Sequence, residues 1–273
     1  MIYRRILPVL TAIVWLQGCS VFSTEDETKD WSAQKLFSEA KSALAEGDYQ
    51  QAVSYYEKLE ARYPFGRYAM QAQLDVAYAH YKNGEPESAI AAAERFIKLY
   101  PQNPHVDYAY YLKGIVNYNR KLGLLDRFVP IDQSQRDPGS ASDSFQDFAE
   151  LVRRFPSSQY AEDARQRMLY LRDNLAKNEV HVARYYLHRG AFLAAANRAT
   201  YVVENYPRST AVRDALEIMI EAYGRLEMTQ LQADARRVLE LNDAKGTFVT
   251  DVLEPEEVSL GRQVWDYLGL DEN

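Results

Sequence analysis

An aromatic residue followed by proline recurs four times along this chain, and the residues upstream of three of these pairs fall in register. The pairs are Tyr63-Pro64, Tyr100-Pro101, Phe155-Pro156 and Tyr206-Pro207, with successive spacings of 37, 55 and 51 residues. Proline cannot donate a backbone hydrogen bond and pushes its predecessor out of the α region, so each pair reads as a helix stop. Counting back from Pro64 meets Tyr56, Ala52, Gly47 and Ala40. The same offsets from Pro101 meet Ala93, Ala89, Gly84 and Ala77, and from Pro207 they meet Ala199, Ala195, Gly190 and Ala183. Chance is a poor explanation of three matching copies.

The residue types have a physical reading. Two alanines let antiparallel helices approach closely, and a glycine between them takes a turn that a Cβ resists. Aromatic and branched residues fill the space between successive hairpins. This is the tetratricopeptide pattern, nominally 34 residues long. The expected fold is all-α, a superhelix of about five helical hairpins (about ten helices) over residues 32–244.

The helices expected are about 32–46 and 48–62, then 68–83 and one opened by Pro86, a residue well suited to a first helical position. The third hairpin starts near His105. Gly123, Pro130, Pro138 and Gly139 interrupt it, an insertion at about 121–139, and its second helix resumes at Ser140. No Gly or Pro lies between Ser157 and Arg189. That segment reads as one long helix at about 157–189, with a kink near Lys177-Asn178 as the alternative. A degraded fifth pair, about 210–226 and 229–241, suits a terminal cap. The tail, 245–273, carries an apolar cluster of Val264, Trp265, Tyr267 and Leu268, placed to dock on a neighbour or on the last helix.

The N-terminus reads as a secretory signal over residues 1–18: Arg4 and Arg5, an apolar run from Ile6 to Leu16, and a small residue before the cut. The run is shorter than the ~20 residues a membrane span needs. Leu16-Gln17-Gly18-Cys19 resembles a lipobox, which implies a diacylglyceryl group on the Cys19 thiol. In the lipoproteins it resembles, Asp after the cysteine means inner-membrane retention. Here Ser20 follows, which points to the outer membrane, with the protein facing the periplasm. Residues 19–31, polar and acidic, read as a lipidated flexible tether.

The net charge is −7 and falls further without the two signal arginines. The chain lacks the basic footprint that nucleic acid requires, and attraction to anionic lipid is disfavoured for the same reason. Cys19 is the only cysteine, so no disulfide framework can form within the chain. His181 and His188 lie two helical turns apart, too far to share an ion. No phosphate loop, dinucleotide fingerprint or nucleophile elbow is present. No metal, no cofactor beyond the covalent lipid and no catalytic residue is expected. A lytic enzyme with a helical superstructure is the best enzymatic alternative; it would normally carry a separate catalytic domain, for which no segment is left over, and a muropeptide release assay settles it.

Beyond the generic repeat, the chain resembles the BamD family, the tetratricopeptide lipoproteins of the β-barrel assembly machinery. The resemblance is carried by Arg62-Tyr63-Pro64-Phe65-Gly66, Tyr81-Lys82-Asn83, Asp107-Tyr108, Arg136-Asp137-Pro138 and Leu151-Val152-Arg153. It continues in Pro156-Ser157-Ser158-Gln159-Tyr160, Leu175-Ala176-Lys177, Arg189-Gly190-Ala191 and Asn197-Arg198. It implies that Tyr63, Pro64, Phe65 and Tyr68 stand at a groove receiving unfolded outer-membrane β-barrel proteins. It also implies that Arg198 helps dock the later repeats on the POTRA domain of the barrel subunit BamA, beside other lipoproteins of the machinery. Other tetratricopeptide lipoproteins, such as a secretin pilotin or a coordinator of peptidoglycan synthesis, are the rival reading, and a scaffold without clients is a further one.

Overall fold

The computed structural model describes residues 26–120, 138–253 and 255. Among them are ten helices and no strand. They are α1 Ala33–Glu46, α2 Tyr49–Arg62, α3 Arg67–Lys82, α4 Pro86–Leu99 and α5 Val106–Asn119, followed by α6 Gly139–Arg154, α7 Ala161–His188, α8 Phe192–Asn205, α9 Val212–Arg225 and α10 Thr229–Lys245. Each helix packs on the next, and α1 on α3, α3 on α5 and α7 on α9 add contacts between successive hairpins. This is the expected all-α superhelix. Residues 121–137 of the insertion, Cys19, and residues 254 and 256–273 of the tail, with its apolar cluster, lie outside the described residues.

The sequence register becomes the packing register. Tyr56, Ala52 and Ala40, then Ala93, Ala89 and Ala77, then Ala199, Ala195 and Ala183, are all fully buried. Gly47, Gly84 and Gly190 take φ of 82°, 78° and 75°, a left-handed turn that L side chains resist. The four aromatic residues before proline close their helices alike. Each has φ between −130° and −126° and donates its N–H to the carbonyl four residues back at 2.8 Å. At the helix starts, Ser32 and Asp48 cap α1 and α2 by accepting from the N–H of Lys35 at 3.2 Å and Gln51 at 3.0 Å.

The third hairpin keeps the register with other residues. At the offsets of the alanine pair from Pro156 stand Ser144 and Phe148, both fully buried. The ring of Phe148 occupies space left by Gly114 on α5, where a Cβ would sit 2.4 Å from it. Ser144 donates its hydroxyl to the Gly114 carbonyl at 2.9 Å. A large residue on one helix is thus matched by a missing side chain on the other.

The long segment is a single helix, α7, of 28 residues, roughly 42 Å at 1.5 Å per residue. Its first half closes an apolar core that begins at Leu36 and ends at Leu171. Its second half starts another core, from Ala176 to Ala222. Between the two lies Asp173, 2% exposed.

Candidate functional site

The candidate client edge is built where α2 stops and α3 starts. Tyr63 ends α2, Pro64 prevents its continuation, and Gly66 at φ 102° turns the chain into α3. That turn leaves Phe65 90% exposed, far beyond any other aromatic residue at this edge. Tyr68, in the first turn of α3, lies 5.4 Å from the Phe37 ring. The Arg67 guanidinium sits 4.8 Å over the Tyr68 ring and donates to its hydroxyl at 2.9 Å. Tyr63 donates its hydroxyl to the Trp31 carbonyl at 2.9 Å.

Sequence reasoning named Tyr63, Pro64, Phe65 and Tyr68, which are adjacent by necessity. It did not name the rings that extend the edge. Trp31 lies 5.5 Å from Tyr55, and Phe37 contacts both Tyr56 and Tyr68. No spacing in the sequence signals them: Trp31 precedes α1 and Phe37 lies within it, and each joins the edge only through its packing on Tyr55 or on Tyr56 and Tyr68.

Beneath this edge is a buried acid. Asp75 on α3 accepts from Tyr56 Oη at 3.3 Å and from Gln71 Nε2 at 2.8 Å. Burial pushes its carboxyl up to about 7, against the opposing pull of the Gln71 hydrogen bond and the Lys41 charge on α1. The same burial raises the Tyr56 hydroxyl well above its ordinary value.

Arg198 stands at the other end of the molecule, on α8. Its Nη1 meets both carboxylate oxygens of Glu179 on α7, at 3.2 and 2.9 Å, while 47% of its side chain stays exposed. The Glu179 bond holds its pKa above the ordinary arginine value. Tyr186 contributes to the surroundings of Arg198 and also lines an open cavity of about 380 Å³ with Asn178, His181, Val182 and Tyr185. The Arg198 site and the α2–α3 edge are therefore two separate surfaces.

His181 and His188 share α7, and no group of three metal-binding side chains occurs among the described residues. No helix among them is long and apolar enough to cross a membrane.

The model of the YfiO family, described as outer membrane lipoprotein, matches residues 29–239. The outer membrane protein assembly factor BamD of Neisseria gonorrhoeae is 45% identical over 259 residues, spanning 93% of this chain and 97% of that one. BamD of Vibrio cholerae is 38% identical over 85% of this chain and 96% of its own. The solved structure of the MamA protein covers 81% of this chain and 98% of its own at a TM-score of 0.37 and 14% identity, too distant to add to the fold. With its helical hairpins and a match over nearly the whole repeat array, the chain belongs to the YfiO family of outer membrane lipoproteins, the family of the BamD assembly factors.

Proposed function

We propose that this protein is a lipid-anchored component of the outer-membrane β-barrel assembly machinery, working from the periplasmic face and performing no catalysis itself. Family membership supports a role in outer-membrane protein assembly. The finer reading assigns three tasks: Cys19 carries the lipid, the α2–α3 edge receives unfolded barrel proteins, and the Arg198 surface binds the POTRA domain of BamA, with other lipoproteins of the machinery nearby.

The observation that carries the client role is the exposure of Phe65. A ring held in water by a Gly66 turn, close in the chain to Tyr63 and to Tyr68 with its Phe37 neighbour, gives an extended polypeptide an aromatic surface to lie on. Such contacts are weak, as a client that must be released requires. Alanine at Phe65 and Tyr68 together should abolish crosslinking of barrel-protein peptides to this edge. Unchanged crosslinking refutes the client role. Depletion of the protein should lower porin levels in the outer membrane, and palmitate should label the mature chain at Cys19.

A pilotin or a coordinator of peptidoglycan synthesis would share the repeat fold. A detergent pull-down separates them by recovering BamA, a secretin or a peptidoglycan synthase.

A further inference from the structure

The acidic segment before α1 is fastened to α2. Asp26 takes Lys58 Nζ at 3.0 Å and also pairs with Arg62 Nη2. Lys58 and Arg62 are one helical turn apart, so both reach the same carboxylate. Thr28, 5% exposed, completes the fastening. Its N–H and hydroxyl donate to Asp26 Oδ1 at 3.1 and 2.8 Å, and its own oxygens accept from Arg62, the hydroxyl at 3.0 Å. The Lys29 N–H closes on the Asp26 carbonyl and the Trp31 N–H on the Thr28 carbonyl, each at 3.0 Å. The expected tether thus ends as a fixed turn over its last residues, because its acid finds two cations on α2.

We infer that this clamp is a short leash that holds the α2–α3 edge, with Phe65, close against the bilayer that carries the Cys19 lipid. The inference rests on acylation of Cys19. Asp26 is seven residues on from Cys19, so the fixed turn lies at most ~25 Å from the lipid. With the clamp open, the first fixed residue is Trp31, held by Tyr55 and the Tyr63 hydroxyl, twelve residues on and up to ~42 Å away.

The chemistry of the edge fits a headgroup layer. Lys35 lies 4.2 Å over the Trp31 ring at the start of α1, and the exposed Phe65 follows the end of α2, at the same end of the hairpin. Aromatic rings with cations above them are suited to the boundary between acyl chains and water. The acid of the clamp is ionised at any pH near neutral, since its hydrogen bonds with Thr28 and then Lys58 keep its carboxyl down at about 2. Exposed ion pairs are individually weak. Here two of them share one carboxylate with a buried threonine, so they close together.

The test uses the full lipidated protein in phosphatidylethanolamine–phosphatidylglycerol vesicles bearing a headgroup acceptor. With the Cys19 thiol acylated, Glu57→Cys on α2 takes a single fluorescent donor. Energy transfer should be high with the clamp intact and fall in the Lys58→Ala/Arg62→Ala variant. Asp26→Asn, which breaks the same ties from the other side, should give the same fall. Six Gly-Ser residues inserted after Ser23 should reproduce it with the clamp untouched, and helical circular dichroism should be unchanged in all. Flotation with the vesicles reports the anchor separately. Protein that floats but shows transfer indifferent to these changes overturns the leash alone. Protein that fails to float overturns both the leash and the anchor it rests on.

Discussion

Ser209, two residues past the fourth aromatic-proline pair, donates its hydroxyl to Asp173 at 2.7 Å. Ser158, two residues past the third pair, does the same to Asp107 at 2.6 Å. In both places the serine after the helix stop ties a hairpin to the first helix of the pair just completed. The Asp173 tie is the more consequential, because this residue sits on α7 between the two apolar cores and also accepts from the Thr210 N–H at 2.8 Å and Lys177 at 2.8 Å.

Asp173→Ala should therefore destabilise the protein by about 2–3 kcal/mol, since it leaves Ser209 and Thr210 without their charged acceptor. Burial alone would raise the Asp173 carboxyl, but the Lys177, Ser209 and Thr210 bonds outweigh it and the pKa is lowered. A depressed carboxylate contributes stability above its unfolded pKa, and that contribution is lost as pH falls through the folded value. The gap between wild type and variant should accordingly be full at pH 7 and shrink below pH 4. Urea melts at the two pH values measure it.

Asp75 has the opposite sign. Its folded pKa of about 7 exceeds the ordinary 3.8, so the folded protein holds the proton more tightly than the unfolded chain. The stability this confers is present at low pH and lost as pH rises from about 4 to 7. Asp75→Asn keeps an amide oxygen for Gln71 and cannot ionise. It should raise the melting temperature at pH 8, by an amount equivalent to a few kcal/mol, and flatten the pH dependence. Thermal melts across pH 5–8 read both effects, and a variant that melts lower than wild type at pH 8 contradicts the assignment.

The parts of the fold legible in the sequence are those set by local chemistry. A glycine required at φ near 80°, a proline that ends a helix and an alanine at a helix crossing each carry their reason in one residue, so repetition exposes them. The third hairpin escaped the same reading because Ser144 and Phe148 fill the alanine positions, and the compensating Gly114 lies 34 residues before Phe148. Pairings were illegible for a different reason. The acidic run before α1 does not say that Lys58 and Arg62 will meet Asp26, and nothing near Arg198 announces Glu179 on the preceding helix. At the candidate site, Tyr63-Pro64-Phe65 stood out as a motif, whereas Phe37 and Trp31 join it only through packing.

Gly114→Ala should show the size matching in the third hairpin. Alanine normally favours a helix interior, by about 1 kcal/mol over glycine. Here the new methyl would stand 2.4 Å from the buried Phe148 ring. Overpacking of this kind costs about 1–3 kcal/mol, so the net change should be destabilising. Phe148→Leu should destabilise the wild type yet relieve Gly114→Ala, a coupling that a double-mutant cycle in urea would register.

Glu227 is the only non-glycine residue with positive φ among the described residues, at 60°, and it occupies the hairpin turn where earlier repeats place glycine. The left-handed region is strained for a residue with a Cβ. Glu227→Gly should stabilise the last hairpin by about 0.5–1 kcal/mol, with the entropy of the unfolded glycine limiting the gain. Slower hydrogen exchange in α9 and α10 would report it.

Arg198 separates interface from fold. Its pair with Glu179 is half in water, and such pairs contribute about 0–1 kcal/mol. Arg198→Ala should therefore leave the melting temperature almost unchanged. If the proposed BamA contact is correct, the same substitution should sharply reduce recovery of BamA in a detergent pull-down, because a planar guanidinium held in place by a carboxylate is preorganised to reach a partner's carbonyls or acids with its remaining donors. Glu179→Gln provides the internal control. It keeps the arginine but removes the charge that orients it, and should fall between wild type and Arg198→Ala. Equal recovery of BamA by all three proteins would move the docking surface elsewhere on the later repeats.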